Sequence, residues 1–489
     1  MQLVELLKDW PCKVKGSVRL EISSLAEHSD EVSTSTLFIA HTGRKYQAQT
    51  FIEKAEKNGA IAIVTDDEAL FDSLQCEATV IWVPNSRTFA SYVSHRFYGE
   101  PSNAVKVVAV TGTNGKTTVS HFIGQLARSL GQNVCVIGTN GVYFNGELNK
   151  EEQNTLTTKS PTTLHRLIKE AIAQGAQLIV LEASSMGLEM ARLDHCQIDV
   201  GVFLNLSHEH IEDHRSFNNY KLAKKRLVTL SEQLVCNADD LFSQSVALNC
   251  NKPCKLFSCK GSADVTCLLL HETDSQSFVK FTASKVQEVC HMSFAAPFLR
   301  SNVCAAVTSL LMLGYGLEEV VSAVPSLTLP TGRMETLKMP NGAKVVIDYA
   351  HTPEAFKQIF SHLHTHSRGK LIAVFSCGGE RDQAKRQEMG RIASKFVDTI
   401  ILTTDNCRRE DPQEINKQII SGFFATQEFE EQLDREKAIT RALSLAGPDD
   451  CVVIVGKGHE SYQIIGDKVL PFNDKEVVQQ FLTCFQYEK

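Results

Sequence analysis

The stretch that most constrains this chain is Val107–Ser120, VVAVTGTNGKTTVS. Val107 to Val110 is a short β-favouring apolar run, which suits a buried strand. It breaks into Thr111-Gly112-Thr113-Asn114-Gly115-Lys116-Thr117-Thr118, and Phe122, Ile123, Leu126 and Leu130 then recur at helical spacing. Strand, glycine loop, lysine, hydroxyl and helix in that order predict a phosphate cradle. Glycines let backbone N–H groups turn inward, the lysine meets the β/γ-phosphates, and the hydroxyl after it can hold Mg2+. The longer form of such loops has a glycine where Val110 stands here, so this is the shorter G-T-N-G-K-T-T form. A merely structural tight turn is the alternative, and the position between strand and helix favours nucleotide binding.

A chain of 489 residues exceeds one core and predicts about three domains, at roughly 150 residues each. The net charge of −7 and the lack of a basic block leave no nucleic-acid footprint, so the cations a phosphate needs must be placed inside sites. The 15 cysteines show no CxxC or Cys/His spacing, and Met1–Lys15 has no signal-peptide pattern. Reduced thiols are therefore expected rather than disulfides or zinc. No apolar run has the length of a membrane span, and a cytoplasmic location is expected.

Residues 1–100 read as a small α/β accessory unit. Leu37–Ala40 is a buried strand leading to a loop at Gly43, Phe51 to Gly59 is helical, and Ala60–Val64 is a strand. Tyr98-Gly99-Glu100-Pro101-Ser102 reads as a linker. Beyond it, strands and helices alternate, the signature of a mostly parallel sheet with crossover helices. Strands fall at Val134–Gly138, Leu178–Leu181 and Val200–Leu204, with a helix at Leu164–Gln174. Glu182, Ser184 and Ser185 follow one strand, and Asn205-Leu206-Ser207 with His208, Glu209, His210, Glu212, Asp213 and His214 follow another. Ligands gather beyond the carboxyl ends of such strands. Glu182 is either a magnesium ligand or a solvated loop acid. The three histidines lack a cysteine partner or a clear helix, so polar loop decoration is the commoner explanation over a transition-metal site. Asn219–Leu230, with Lys221, Lys224, Lys225 and Arg226, reads as a helix with a solvated basic face.

Residues 231–295 mix short strands and turns, Leu299–Leu313 is a helix, and a boundary falls near Pro330-Thr331-Gly332. The last part alternates again. Strands at Val345–Ile347, Leu371–Phe375, Thr399–Leu402 and Val452–Val455 lead into Asp348–Pro353, Cys377–Asp382, Asp405–Pro412 and Gly456–Glu460. Four polar loops on four parallel strands predict a doubly wound domain with a site on one rim.

In order and spacing, Gly112–Thr118, Asn205–Ser207, Gly332–Glu335, Asp348–Pro353, Gly378–Arg386, Asp405–Pro412 and Gly456–Gln463 together resemble the Mur ligases. These are the ATP-dependent amino-acid ligases of peptidoglycan precursor synthesis. The likeness spans Leu37 to Gln463 and points to the branch that adds the third residue to UDP-N-acetylmuramoyl-L-alanyl-D-glutamate. It implies an α/β fold of three domains: 1–100 for the UDP-substrate, 101–331 with a P-loop-type, mostly parallel sheet for ATP, and 332–489, Rossmann-like, for the amino acid.

The resemblance also implies roles. Gly112, Thr113, Asn114, Gly115, Lys116, Thr117 and Thr118 would hold ATP, with Lys116 on the γ-phosphate. Asn302 and Asp348 would contact the adenosine, and Arg333 and His351 would lie by the nucleotide at the domain junction. Thr117 and Glu182 would hold one Mg2+, and His210 would help hold a second. Lys224 aligns with a lysine carbamylated by CO2, which turns an ammonium into an anionic oxygen ligand. Lys116, Lys224 and His210 would be the catalytic set. Ser29, Thr157, Thr158, Ser160, Ser184 and Arg192 would bind the UDP-dipeptide.

Members that use meso-diaminopimelate carry D-N-P-R, whose arginine binds the distal carboxylate; this chain reads Asp405-Asn406-Cys407-Arg408. A guanidinium gives two-pronged recognition of a carboxylate that lysine as a substrate lacks. Arg381, Asp405, Asn406, Arg408, Gly456 and Glu460 are thus expected to hold meso-diaminopimelate. The chain departs from the family at the uridine-site D-S-R, here His28-Ser29-Asp30, and at D-G-H, here Gln47-Ala48-Gln49. Met186 and Met190 stand where His and Gln are usual, and Glu209 replaces an Asp. Folylpolyglutamate synthase is the nearest alternative. The roughly 100 residues before the loop and Asp405–Arg408 argue against it. The retained Lys116, Thr117, Glu182, His210 and Lys224 argue against a silent nucleotide-binding scaffold. No nucleic acid or membrane span is expected, and the chain is expected to be a monomer.

Overall fold

The structure, a computed structural model, describes residues 1–42, 48–152, 156–209 and 211–487. Three sheets carry the architecture. The first has five strands in the order Lys13–Lys15, Thr79–Trp82, Ala60–Thr65, Thr36–Ala40, Ser24–Ala26. The second has eleven and centres on Lys106–Thr111, which lies between Ile198–Phe203 and Leu178–Glu182. From Val265–Glu272 across to Val134–Gly138 every pairing in it is parallel, and antiparallel ribbons extend both edges. The third has six strands, in the order Glu335–Lys338, Lys344–Asp348, Cys451–Val455, Leu371–Phe375, Thr399–Leu402, Glu428–Glu431, parallel except at the Glu335–Lys338 edge.

The strand expectations for all three regions hold, and the mixed segment 231–295 proves to continue the central sheet. Its middle strands are apolar on both faces because helices cover both. On one face Lys116–Ser129 packs against Pro297–Met312, with Phe122 fully buried and stacked on Phe294 at 5.4 Å between ring centroids. Burying a ring of that size stabilises by about 1.5–3 kcal/mol. Pro161–Ala173 covers the other face through Leu164, Leu167 and Ile168. It starts sharply because Pro161 needs no N–H partner and the Ser160 hydroxyl caps the Thr163 N–H.

The Tyr98–Ser102 segment is not a free linker. Pro101–Ala104 forms a 3-10 turn in which Pro101 and Ser102 are buried, and the Ser102 hydroxyl accepts the Gln197 N–H at 2.9 Å. Nearby, Glu27 accepts the Thr162 N–H at 3.1 Å and hydroxyl at 2.9 Å, which ties the first sheet to the start of a central helix. His95 and His165 meet across the same interface at 5.2 Å between ring centroids.

Candidate functional site

The loop after Lys106–Thr111 is braced by the next strand end. The Thr113 N–H donates to Asn205 O at 2.9 Å, Asn114 N–H to Asn205 Oδ1 at 2.9 Å, and Ser207 N–H to Thr113 Oγ1 at 2.9 Å. Gly115 has φ +91°, and a Cβ there would sit 2.7 Å from Asn302 Oδ1. A side chain would be strained and would crowd the cradle. Lys116 Nζ folds back onto the carbonyls of Gly112 at 2.9 Å and Thr113 at 3.0 Å. Burial pushes its ammonium below the ordinary lysine range, partly offset by Glu182 and Glu209. An arriving phosphate would restore the balance.

Beside the lysine, oxygen donors converge. Thr117 Oγ1 donates to Glu182 Oε2 at 3.0 Å, and Thr139 donates to the same carboxylate through its N–H at 2.9 Å and its hydroxyl at 3.0 Å. Glu182 is only 2% exposed, so the solvated-acid reading fails. A Cβ on Gly138 would fall 2.0 Å from Glu182 Oε1; the glycine makes room for the carboxylate. A carboxylate and hydroxyls fit a hard cation such as Mg2+. The residues expected for the dipeptide join this cluster: Thr139 Oγ1 lies 3.0 Å from Thr157 Oγ1, Thr158 Oγ1 2.9 Å from Ser184 Oγ, and Arg192 donates to Thr158 O at 2.7 Å.

Lys224 corrects the solvated-face expectation for the basic helix, which spans Phe217–Leu230. Its side chain is buried, and Nζ donates to Gly112 O at 2.8 Å over the Tyr220 ring. No carboxylate among the described residues is within ion-pair distance of Nζ. Burial, with Lys116 nearby and Glu209 opposing, holds the ammonium well below the ordinary lysine range. Helical geometry explains the miss, since Ala223, Lys224 and Leu227 share the inward face while Lys221 and Lys225 flank it.

Of the other expected residues, some join the phosphate loop and some do not. His210 lies outside the described residues, as does Gln47. His208 stacks on Phe217 at 4.1 Å and His214 Nε2 meets Ser185 Oγ at 2.9 Å, so these two do not converge on a metal. Asp348 is buried, and its carboxylate accepts the N–H groups of Met334 and Ala350, both at 2.7 Å. Arg333 reaches Thr117 Oγ1 at 3.2 Å, and His351 pairs across the junction with Glu209, the acid near Lys116 and Lys224, at 3.0 Å. Asn302 lines a cavity of about 720 Å3 with Asn114, Gly115 and Arg300, beside the phosphate loop. Ser29 is buried in the first sheet's domain and does not line the cavity that holds Asn302.

The C-terminal strand ends build a second cavity of about 260 Å3, whose lining includes Arg381, Asp405, Asn406, Arg408, Gly456 and Glu460. Arg408 donates to Gly379 O at 2.7 Å, and Asn406 donates to Glu460 Oε2 at 2.9 Å. Lys457 is fully buried under the floor and donates to Asn406 Oδ1 at 3.2 Å and Glu460 Oε2 at 2.9 Å. A Cβ on Gly379 would strike Cys407 O at 1.9 Å, so only glycine allows these two loops to meet. Cys407 donates its N–H to Asp405 O at 2.9 Å, a bond that proline cannot make. Basic Arg381, Lys385 and Arg408 and acidic Glu209, Asp382, Asp405 and Glu460 share the lining, a charge mixture suited to a zwitterion. Lys457, Asn205 and Tyr220 were missed as site residues. Only the Gly456–Gln463 and Asn205–Ser207 motifs hinted at the first two.

Comparisons with known proteins follow the same outline. Residues 110–310 match the Mur ligase middle domain, and 332–458 the Mur ligase glutamate ligase domain. The chain is 34% identical over 489 residues to UDP-N-acetylmuramoyl-L-alanyl-D-glutamate--2,6-diaminopimelate ligase 2 of Clostridium acetobutylicum, covering 99% of this chain and 100% of the relative. It is 35% identical to the ligase of that name from Caldanaerobacter subterraneus subsp. tengcongensis, covering 99% of each. A solved structure of a UDP-N-acetylmuramoyl-L-alanyl-D-glutamate--2,6-diaminopimelate ligase superposes with a TM-score of 0.69 at 30% identity, again over 99% of both chains. With the phosphate loop, the buried carboxylate and most of the charged C-terminal cavity inside the matched regions, the chain belongs to the Mur ligase family.

Proposed function

We propose that this protein joins meso-diaminopimelate to the D-glutamate γ-carboxylate of UDP-N-acetylmuramoyl-L-alanyl-D-glutamate, with ATP converted to ADP and phosphate. The observation that carries the reading is Arg408, standing over a mixed-charge cavity across the junction from a phosphate loop. Full-length likeness to relatives of that name supports it. Residues 1–100 are assigned to the UDP end, 101–331 to ATP and 332–489 to the amino acid. The reaction belongs in the cytoplasm; among the described residues no helix is long and apolar enough to cross a membrane.

The chemistry is carboxylate activation. Oxide is a poor leaving group, so the γ-carboxylate first attacks the γ-phosphorus of ATP, forming an acyl phosphate and releasing ADP. The diaminopimelate amine then attacks the acyl carbon, phosphate leaves, and the nitrogen loses a proton. Thr158, Ser184 and Arg192 orient the dipeptide, Lys116 neutralises the transferring phosphoryl group, and Arg408 fixes the distal carboxylate so that the reactive amine points inward. Mg2+ held at Thr117 and Glu182 would neutralise phosphate charge. Lys224 is assigned as the carbamate-bearing lysine, because an uncharged buried amine is the form that adds CO2; the anion so formed would supply oxygen ligands.

Phosphate release tests the reading. It is expected only when ATP, Mg2+, the UDP-dipeptide and meso-diaminopimelate are all present. Full turnover without the UDP-dipeptide would contradict it.

A further inference from the structure

Away from the phosphate loop, at the opposite rim of the larger cavity, three metal-type donors meet across the domain junction. His362 and His366 lie four residues apart on one face of the helix Pro353–His366, and Glu272 ends the central strand Val265–Glu272. One donor atom from each lies within 4.8 Å of the others. We propose that Glu272, His362 and His366 bind a divalent transition metal, zinc foremost, which staples the central sheet to the C-terminal domain.

The hydrogen bonds favour a cation. His366 Nδ1 is 2.8 Å from His362 O, and a carbonyl only accepts, so the proton sits on Nδ1. That bond fixes the ring and turns Nε2 toward Glu272 Oε1 at 3.3 Å. In the neutral ring Nε2 is an acceptor facing another acceptor, an arrangement that calls for a proton or a metal ion between them. His362 is 7% exposed, and its buried Nδ1 has no hydrogen-bond partner among the described residues. Such orphaned buried groups are uncommon.

Glu272 is oriented by Ser277, whose hydroxyl donates to Oε2 at 3.1 Å, and Arg300 Nη1, at 3.9 Å, is the competing cation. Two imidazoles and one carboxylate select zinc, cobalt or nickel over magnesium. A tetrahedral zinc ion keeps its ligands about 3.3 Å apart, so the widest pair closes by at most about 1.5 Å. Glu272, His362 and His366 line the same cavity as Asn114, Gly115 and Asn302.

The test uses the untagged full-length protein, stripped with EDTA and titrated with Co2+ without magnesium. One equivalent of Co2+ is expected to give visible d–d bands that Zn2+ abolishes, and Zn2+ is expected to raise the melting temperature. His366→Gln should weaken binding by about 100-fold and Glu272→Gln by about 10-fold, on opposite sides of the junction. Both should melt like wild type in EDTA. The two variants together guard against misfolding of either one. The proposal is overturned if no bands appear, if both variants keep wild-type affinity, or if the bands vanish in Glu182→Gln but persist in His366→Gln. In the last two cases the three side chains are only an interdomain ion pair.

Discussion

Arg408 uses one guanidinium nitrogen on Gly379 O at 2.7 Å, and its Nη2 has no hydrogen-bond partner among the described residues. Its backbone is left-handed at φ 51°, an uncommon conformation for a side chain of this size, held by bonds from Arg408 N–H to Ile464 O at 3.1 Å and from Gly466 N–H to Arg408 O at 2.7 Å. A residue strained and pinned this way is aimed. Arg408→Ala should raise the KM for meso-diaminopimelate by about 100-fold, with a much smaller change in the KM for ATP. Equal effects on both would count against a substrate contact. Lys224→Ala should lose nearly all activity and recover part of it with added short-chain carboxylates; no loss, or no recovery, would remove the carbamate. The charged residues of the C-terminal rim were legible because their motifs follow strands directly. Lys224 was not legible from its own helix, since burial of one lysine among several depends on which face the sheet covers.

Among the elements, the phosphate loop was readable in full. A strand, a glycine turn and a helix leave few conformations, and the structure adds only that Asn205 clamps it. Asn205→Ala should raise the KM for ATP by about 30-fold, at about 1 kcal/mol for each of the two lost side-chain hydrogen bonds, while the melting temperature changes little. A change in the meso-diaminopimelate KM alone would refute that role.

The helix pair Ser86–Phe97 and Pro161–Ala173 was less legible, because two histidines on amphipathic faces look solvated until they pack together. Burial, with His95 and His195 adding to it, pushes His165 from the ordinary 6.5 to about 3. Its neutral form is favoured in the fold. Stability from this group is therefore complete above pH 6.5 and falls as pH drops toward the folded value, because the unfolded chain takes up the proton first. The slope should reach about 1.4 kcal/mol per pH unit. Urea unfolding from pH 7 to 5 should show it, and His165→Leu should reduce the slope without abolishing it, because His121, His362 and His459 are pushed down by burial in the same way. An unchanged slope in the variant would assign the acid sensitivity elsewhere.

For the whole molecule, the parallel sheets of the central and C-terminal regions followed from strand–helix alternation. The eleven-stranded width of the central sheet did not, because residues 231–295 lack helical period and read as disconnected short strands. Contacts between units were also invisible in the sequence. Arg333 to Thr117, His351 to Glu209 and Lys344 to Asp274 each join residues far apart in the chain. Those contacts bring the phosphate loop and the Arg408 cavity onto one junction, as transfer from acyl phosphate to amine requires. The most direct measurement is kcat/KM for meso-diaminopimelate against L-lysine at saturating ATP and UDP-dipeptide. A preference of about 100-fold or more for meso-diaminopimelate is predicted from a two-pronged carboxylate contact that lysine cannot make. Equal use of the two amino acids would contradict it.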